Sequence, residues 1–125
     1  MTSPAELLAT LAKPERLRLL ALLRRGEACV CELTAALQLP QYQVSRDLRA
    51  LRQAGLLDER PDGKWAYYRL AERLPAPVRQ LVDAALALHD ARPDAARLCR
   101  AICCRQEGRC CLRVDLIPLP RLTRA

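Results

Sequence analysis

The sequence predicts a mainly α-helical chain with one small β-hairpin, and three observations carry that expectation. The chain has 125 residues, no Phe, and only 3% aromatic residues. A core so poor in rings must be built from Leu, Ala and Val, a mixture that favours helices over sandwiches. Leucines recur at helical spacing in stretches separated by prolines. One strong turn signal, Pro61-Asp62-Gly63-Lys64, separates two strand-like runs.

Taken in order, Leu7, Leu8 and Leu11 define a first helix over 6–12, which Pro14 interrupts. Pro14 then opens a second helix with Leu17, Leu20 and Leu23 on one face. Arg24 and Arg25 suit its negative end, and Gly26 reads as a left-handed terminator. Residues 31–38 read as a short third helix with Leu33, Ala36 and Leu37 inward, broken by Leu39-Pro40. A fourth spans 41–54, burying Val44, Leu48 and Leu51, with Gly55 closing it. Leu56 to Arg60 and Trp65 to Leu70 are the two strands. Val78, Leu81, Val82, Ala85 and Leu86 mark a fifth helix after Pro75 and Pro77. From Pro93 the character changes. Asp94 reads as the cap of a sixth helix over 95–106, Gly108 as its end, and Leu112 to Ala125 as an extended tail. Two units are expected: a domain over 1–92 and a Cys-rich extension over 93–125.

Charge points to a polyanionic partner. The net charge is +7, carried by 19 Arg and 2 Lys against 14 acidic residues, and Arg is the better phosphate ligand. Two short helices, a three-residue break and a following hairpin are the order of a winged helix-turn-helix, whose second helix enters the major groove. On 41–52, Gln41, Gln43 and Arg46 can address base edges, and Ser45, Arg49 and Arg52 can position phosphates, with Tyr42 beside them. Arg60 and Lys64 flank the turn of the wing. The plain alternative is a solvated charged face. One His, no carboxylate pair and no glycine-rich phosphate loop leave no catalytic constellation, so neither an enzyme nor an organic cofactor is expected.

Residues Met1 to Leu8 lack a leader pattern, and no apolar run reaches membrane-spanning length, so a cytoplasmic protein without a membrane partner is expected. In a reducing compartment clustered thiols are metal ligands or redox groups rather than structural disulfides. The seven cysteines fall into two groups, Cys29 with Cys31, and Cys99, Cys103, Cys104, Cys110 and Cys111. Within one helix Cys29 and Cys31 would diverge by about 200°. If Cys29 lies in the lead-in and Cys31 in the first turn, they can converge. The alternative is a buried helix start with two small apolar side chains.

Four segments resemble the ArsR/SmtB family of metal- and metalloid-responsive winged-helix repressors. They are Lys13-Pro14-Glu15-Arg16-Leu17-Arg18-Leu19-Leu20, Ala28-Cys29-Val30-Cys31-Glu32-Leu33, the stretch from Gln43 to Leu57, and Asp62 to Leu70. The resemblance covers about residues 5–90. It implies a homodimer, with the first and fifth helices at the interface, bound to a double-stranded operator with an inverted repeat. It also implies release of that operator by a soft ion. Asp47 stands where the family usually has His, and is expected to face a protein partner. Arsenite-responsive members often carry a third Cys three residues after the second; here that place is Thr34. Some carry a Cys-Cys pair followed by a further Cys, and Cys103-Cys104 followed by Cys110 has that spacing.

The implied effector is As(III) or Sb(III) on thiolates drawn from Cys29, Cys31, Cys103, Cys104, Cys110 and Cys111. Cd(II), Pb(II) or Zn(II), or thiol oxidation, are the alternatives within this fold. No Cys precedes Cys29 to form an N-terminal thiolate site, and the fifth helix offers only Asp83 and His89, with His89 read as a surface or interface residue. A structural metal or Fe–S module on Cys99, Cys103, Cys110 and Cys111 is the alternative of another class. Cys99 is also readable as a core residue beside Leu98 and Ile102.

Overall fold

The computed structural model describes residues 3–103 and 105. The chain runs α1 (Pro4–Leu11), α2 (Pro14–Leu23), β1 (Ala28–Cys29), α3 (Val30–Leu37), α4 (Gln41–Gln53), β2 (Leu57–Asp62), β3 (Trp65–Leu70), α5 (Ala76–Ala87) and α6 (Arg92–Cys103). This is a mainly α winged helix-turn-helix, as the sequence predicts. Among the described residues, no helix is long and apolar enough to cross a membrane.

Helix α1 opens on a capping box. The Ser3 Oγ accepts from the Glu6 N–H at 3.2 Å, and Glu6 Oε2 accepts from the Ser3 N–H at 3.1 Å. Helix α2 is the central rod. Leu19 to Leu23 are all buried, because α1, α3, α4, α5 and α6 pack around it. Its end does not use Gly26 as a left-handed terminator; among the described residues the glycines with positive φ are Gly55 and Gly63. Instead the Arg24 and Arg25 N–H groups return to Leu20 and Leu22 carbonyls and tighten the last turn. The left-handed cap belongs to Gln38 at φ 55°, whose N–H reaches Thr34 O and ends α3 before Pro40. Gly55, at φ 81°, ends α4 as expected.

The hairpin is longer than its apolar pattern suggested. Asp62 pairs with Trp65, so Gly63-Lys64 form a two-residue turn with Gly63 at φ 60°. Pro61 is tolerated because β2 is an edge strand. A third strand, β1, pairs Ala28 with Tyr68 and Cys29 with Tyr67, giving the order β1-β3-β2. Two residues are too short to show a period, so this strand had no signal in the sequence.

Helix α6 starts at Arg92, with the Ala95 N–H bonded to Ala91 O. Asp94 therefore lies inside the first turn and is not the cap expected of it. It is buried and ion-paired to Arg18 and Arg97, and Leu98 joins the common core. Cys99 points outward and is exposed, which removes it from the core. The helix ends at Cys103 and Arg105 is already beyond it, short of the expected 106, while the Gly108 end and the tail lie outside the described residues.

Candidate functional site

Helix α4 presents a two-sided surface. Val44, Leu48 and Leu51 bury one side, while Gln41, Tyr42, Arg46, Arg49 and Arg52 are exposed and Gln43 and Ser45 half-buried. Arg46 and Arg49 form no ion pair among the described residues and stand available for an anion. Arg52 is held by Glu59 of β2, and Glu59 also accepts from the Tyr68 hydroxyl at 3.4 Å. Ser45, Arg49, Arg52, Glu59 and Tyr68 line a polar recess of about 310 Å³ between α4 and the wing. Burial, with the nearby Glu59 carboxylate, pushes the Tyr68 phenol above its ordinary value, so it remains a donor.

The wing residues are placed differently from one another. Lys64 is exposed at the turn, 5.0 Å from the Trp65 ring centroid. Arg60 is drawn back along β2: it bonds Glu27 at 2.6 and 3.0 Å and lies 4.7 Å from the Tyr67 ring centroid. That hydrogen-bonded guanidinium holds the Glu27 carboxyl below its usual range.

Asp47 faces inward, not toward a partner protein. Its side chain is wholly buried, and Oδ1 takes Lys13 at 3.2 Å and Arg16 at 3.1 Å. The acid thus ties the recognition helix to the start of α2, a pairing across 34 and 31 residues that spacing along α4 does not reveal. Half-buried His89 has Nε2 enclosed without a hydrogen-bond partner among the described residues.

At the other end of the helix pair lies the first thiol pair. Cys29 is the residue preceding α3, extended at φ −93° and ψ 169°, and Cys31 falls in the first turn. This is the arrangement in which two such thiols can converge. Cys29 is buried against Tyr67, with Cys31 and Trp65 packed around them. Thr34, in the place of a third thiol, is buried with its hydroxyl lacking a hydrogen-bond partner among the described residues. Glu32 is fully buried and caps α3 by accepting the Cys29 N–H at 3.1 Å.

Arg105 closes the site from the far end of the chain. It donates to both Glu32 oxygens at 2.6 Å and to the Glu27 carbonyl at 3.0 Å, and lies 5.5 Å from the Tyr67 ring centroid. Those Glu32 bonds hold the guanidinium above its ordinary pKa, and the nearby Cys29 also favours its charged form. Cys103, two residues before Arg105, is exposed at the end of α6. Cys104, Cys110 and Cys111 lie outside the described residues, and among the described residues no three His, Cys, Asp or Glu side chains converge on one ion site.

Glu32, Tyr67 and Arg105 are site residues that the sequence reading missed. The capping-box spacing of Cys29 and Glu32 was the one available signal. Nothing local marks Tyr67 or Arg105, since their partners lie 38 and 73 residues away.

Between them, α1 and α5 leave an apolar groove of about 350 Å³ lined by Pro4, Leu7, Leu8, Pro77, Val78 and Leu81. Leu8 is 54% exposed there.

Comparison with known proteins agrees with this architecture. The family model described as bacterial regulatory protein, arsR family, matches residues 13–59. The arsenic resistance transcriptional regulator ArsR1 of Pseudomonas putida is 46% identical over 103 residues, covering 77% of each chain. The crystal structure of the transcriptional repressor BigR of Xylella fastidiosa superposes with a TM-score of 0.60 at 38% identity, covering 70% of this chain and 84% of that one. A homodimeric winged helix-turn-helix domain of Mycobacterium bovis, a possible ArsR-family regulator, superposes at 0.58 with 31% identity, covering 67% and 75%. Fold, recognition helix and relatives agree: the chain belongs to the ArsR/SmtB family of winged-helix, DNA-binding transcriptional repressors, whose members regulate transcription and are not enzymes.

Proposed function

We propose that this chain is a cytoplasmic homodimeric repressor that leaves its inverted-repeat operator when As(III) or Sb(III) binds its cysteine thiolates. The observation that carries the reading is the placement of Cys29 and Cys31 at the α3 start, joined through Glu32 and Arg105 to the segment carrying Cys103. Arsenous acid and three thiols condense to a tris-thiolate with loss of three waters, with no redox change. Soft ligands select such an ion over hard cations. Cys29 and Cys31 supply two sulfurs, and Thr34 offers a hydroxyl where a third would stand. The third ligand, or the whole set, therefore comes from Cys103, Cys104, Cys110 and Cys111.

On the operator, Gln41, Tyr42, Gln43 and Arg46 read base edges and Ser45, Arg49 and Lys64 contact phosphate, while Arg52 and Arg60 reach phosphate by exchanging Glu59 and Glu27 for it. The α1–α5 groove takes the second subunit, because an apolar face of that size with exposed Leu8 is best satisfied by burial. Two subunits carry twice +7, so operator affinity falls steeply with salt.

The test is an arsenite titration of operator-bound protein, read by fluorescence anisotropy, on wild type, Cys29→Ser/Cys31→Ser and Cys103→Ser/Cys104→Ser. Micromolar arsenite releases wild type, and the variant that has lost the ion site does not respond. Release by cadmium or peroxide with none by arsenite overturns the effector. Stoichiometric zinc or an iron–sulfur chromophore in freshly purified protein overturns the sensing role of the thiols. Leu8→Glu shifts the protein toward monomer in sedimentation; an unchanged dimer removes the α1–α5 interface.

A further inference from the structure

The cap of α3 is made by a carboxylate shared between two distant parts of the chain. Glu32 Oε1 accepts both the Cys29 N–H at 3.1 Å and Arg105 Nη2 at 2.6 Å, and Oε2 accepts Arg105 Nε at 2.6 Å. Arg105 also bonds the Glu27 carbonyl beside β1 and lies against Tyr67 of β3. One guanidinium therefore touches the α3 start, the wing and the approach to the first thiol pair. Its two sequence neighbours on the N-terminal side are Cys103 and Cys104.

We propose that Arg105 is a clasp that couples ion capture at Cys103 to the DNA-reading unit within the same subunit. The coupling to an ion rests on the operator-release reading above; the clasp itself does not. With the clasp closed, Glu32 is satisfied and the first turn of α3 is capped. A buried carboxylate deprived of its cation is costly, so withdrawing Arg105 drives Glu32 outward to water. The Cys29 N–H then loses its acceptor, and the helix start regains an orphan donor. Helix α3 packs on α4, so a loosened first turn shifts the recognition helix against its neighbours. Cys103 stands two residues before Arg105, so an ion captured by the Cys103 thiolate pulls on the clasp, which gives a two-state element biased oppositely by ion and operator.

The experiment uses the full-length protein as wild type, Arg105→Ala and Arg105→Lys. It reads hydrogen exchange at amides 29–33 without ion, operator affinity with and without arsenite, and bound arsenite per subunit. Arg105→Ala speeds exchange of the Cys29 amide and weakens the ion-free operator complex, by a factor within the roughly 5- to 150-fold range of coupled sites. It binds the same amount of arsenite, yet the ratio of operator affinities with and without arsenite collapses toward one. Arg105→Lys keeps the charge but not the paired hydrogen bonds, and falls between the two. Wild-type exchange at Cys29 together with a wild-type arsenite ratio in Arg105→Ala overturns the clasp. If arsenite fails to release even wild type while Arg105→Ala still uncaps α3 and weakens operator binding, the effector assignment fails and the clasp stands.

Discussion

At the start of α6, the buried Asp94 carboxylate takes Arg18 at 2.9 Å on each oxygen and Arg97 at 2.6 Å. Those two arginines also bond the Leu37 and Ala36 carbonyls at the end of α3, at 2.8 and 2.5 Å. Beyond the end of α6, Glu32 takes Arg105, with the Cys29 N–H as its other bond. Both carboxylates are buried and both meet a two-pronged arginine. The difference is redundancy. Loss of one arginine at the first joint leaves another in place, whereas loss of Arg105 leaves Glu32 without a cation among the described residues. Helix α6 is thus tied by two arginines at its start and by one residue past its end. Cys29 and Cys103 lie at the end tied by a single arginine.

The largest effect expected from breaking this comparison is Asp94→Asn. It leaves Arg18 and Arg97 without their counter-charge. It should lower unfolding stability in urea by about 3 kcal/mol, the low end for buried pairs because both arginines keep some solvent. Stability unchanged within error would show that α6 is not anchored there. The same variant has a pH signature. Burial pushes the Asp94 carboxyl up, but the Arg18 hydrogen bonds and the Arg18 and Arg97 charges outweigh it and leave it below 3.8. A lowered carboxyl contributes stability above its unfolded pKa and loses it as pH falls through the folded one. Wild type should therefore lose this contribution below about pH 4, and Asp94→Asn should show a flatter acid limb.

Thr34→Cys sharpens the contrast from the other side. A third thiol on the Cys31 face lets the α3 start hold a soft ion alone. Operator release should then persist in the Arg105→Ala background, with an arsenite ratio of about tenfold or more restored. A ratio that stays near one would mean that the α3 sulfurs do not converge. The smallest effect is at the surface. Glu59 occupies Arg52 in a half-exposed pair, and such pairs contribute about 0.2–1 kcal/mol. Glu59→Gln frees Arg52 for phosphate, so operator affinity should rise up to about fivefold and its salt dependence should steepen. Unchanged affinity would place Arg52 away from the DNA backbone.

The parts legible beforehand were those written in local pattern. Leu17, Leu20 and Leu23 marked α2, Val44, Leu48 and Leu51 marked α4, and Gly63 marked the turn. The misread positions were acidic residues with at least one partner far away in sequence, Lys13 and Arg16 for Asp47 and Arg18 for Asp94. Asp47, expected to face a protein partner, belongs to Lys13 and Arg16, and Asp94, expected to cap α6, belongs to Arg18 and Arg97. An acidic residue near a helix start has the same local signature whether it caps or is buried.

By itself, the sequence determined the helices, the hairpin, the basic recognition face and the two groups of cysteines, because periodicity, turn chemistry and charge act over a few residues. Only the tertiary structure decided what joins those groups. Strand β1 brings Cys29 beside Tyr67, and Arg105 returns across 73 residues to Glu32. Burial makes that return specific, since a carboxylate removed from water must find its cation wherever the fold supplies one.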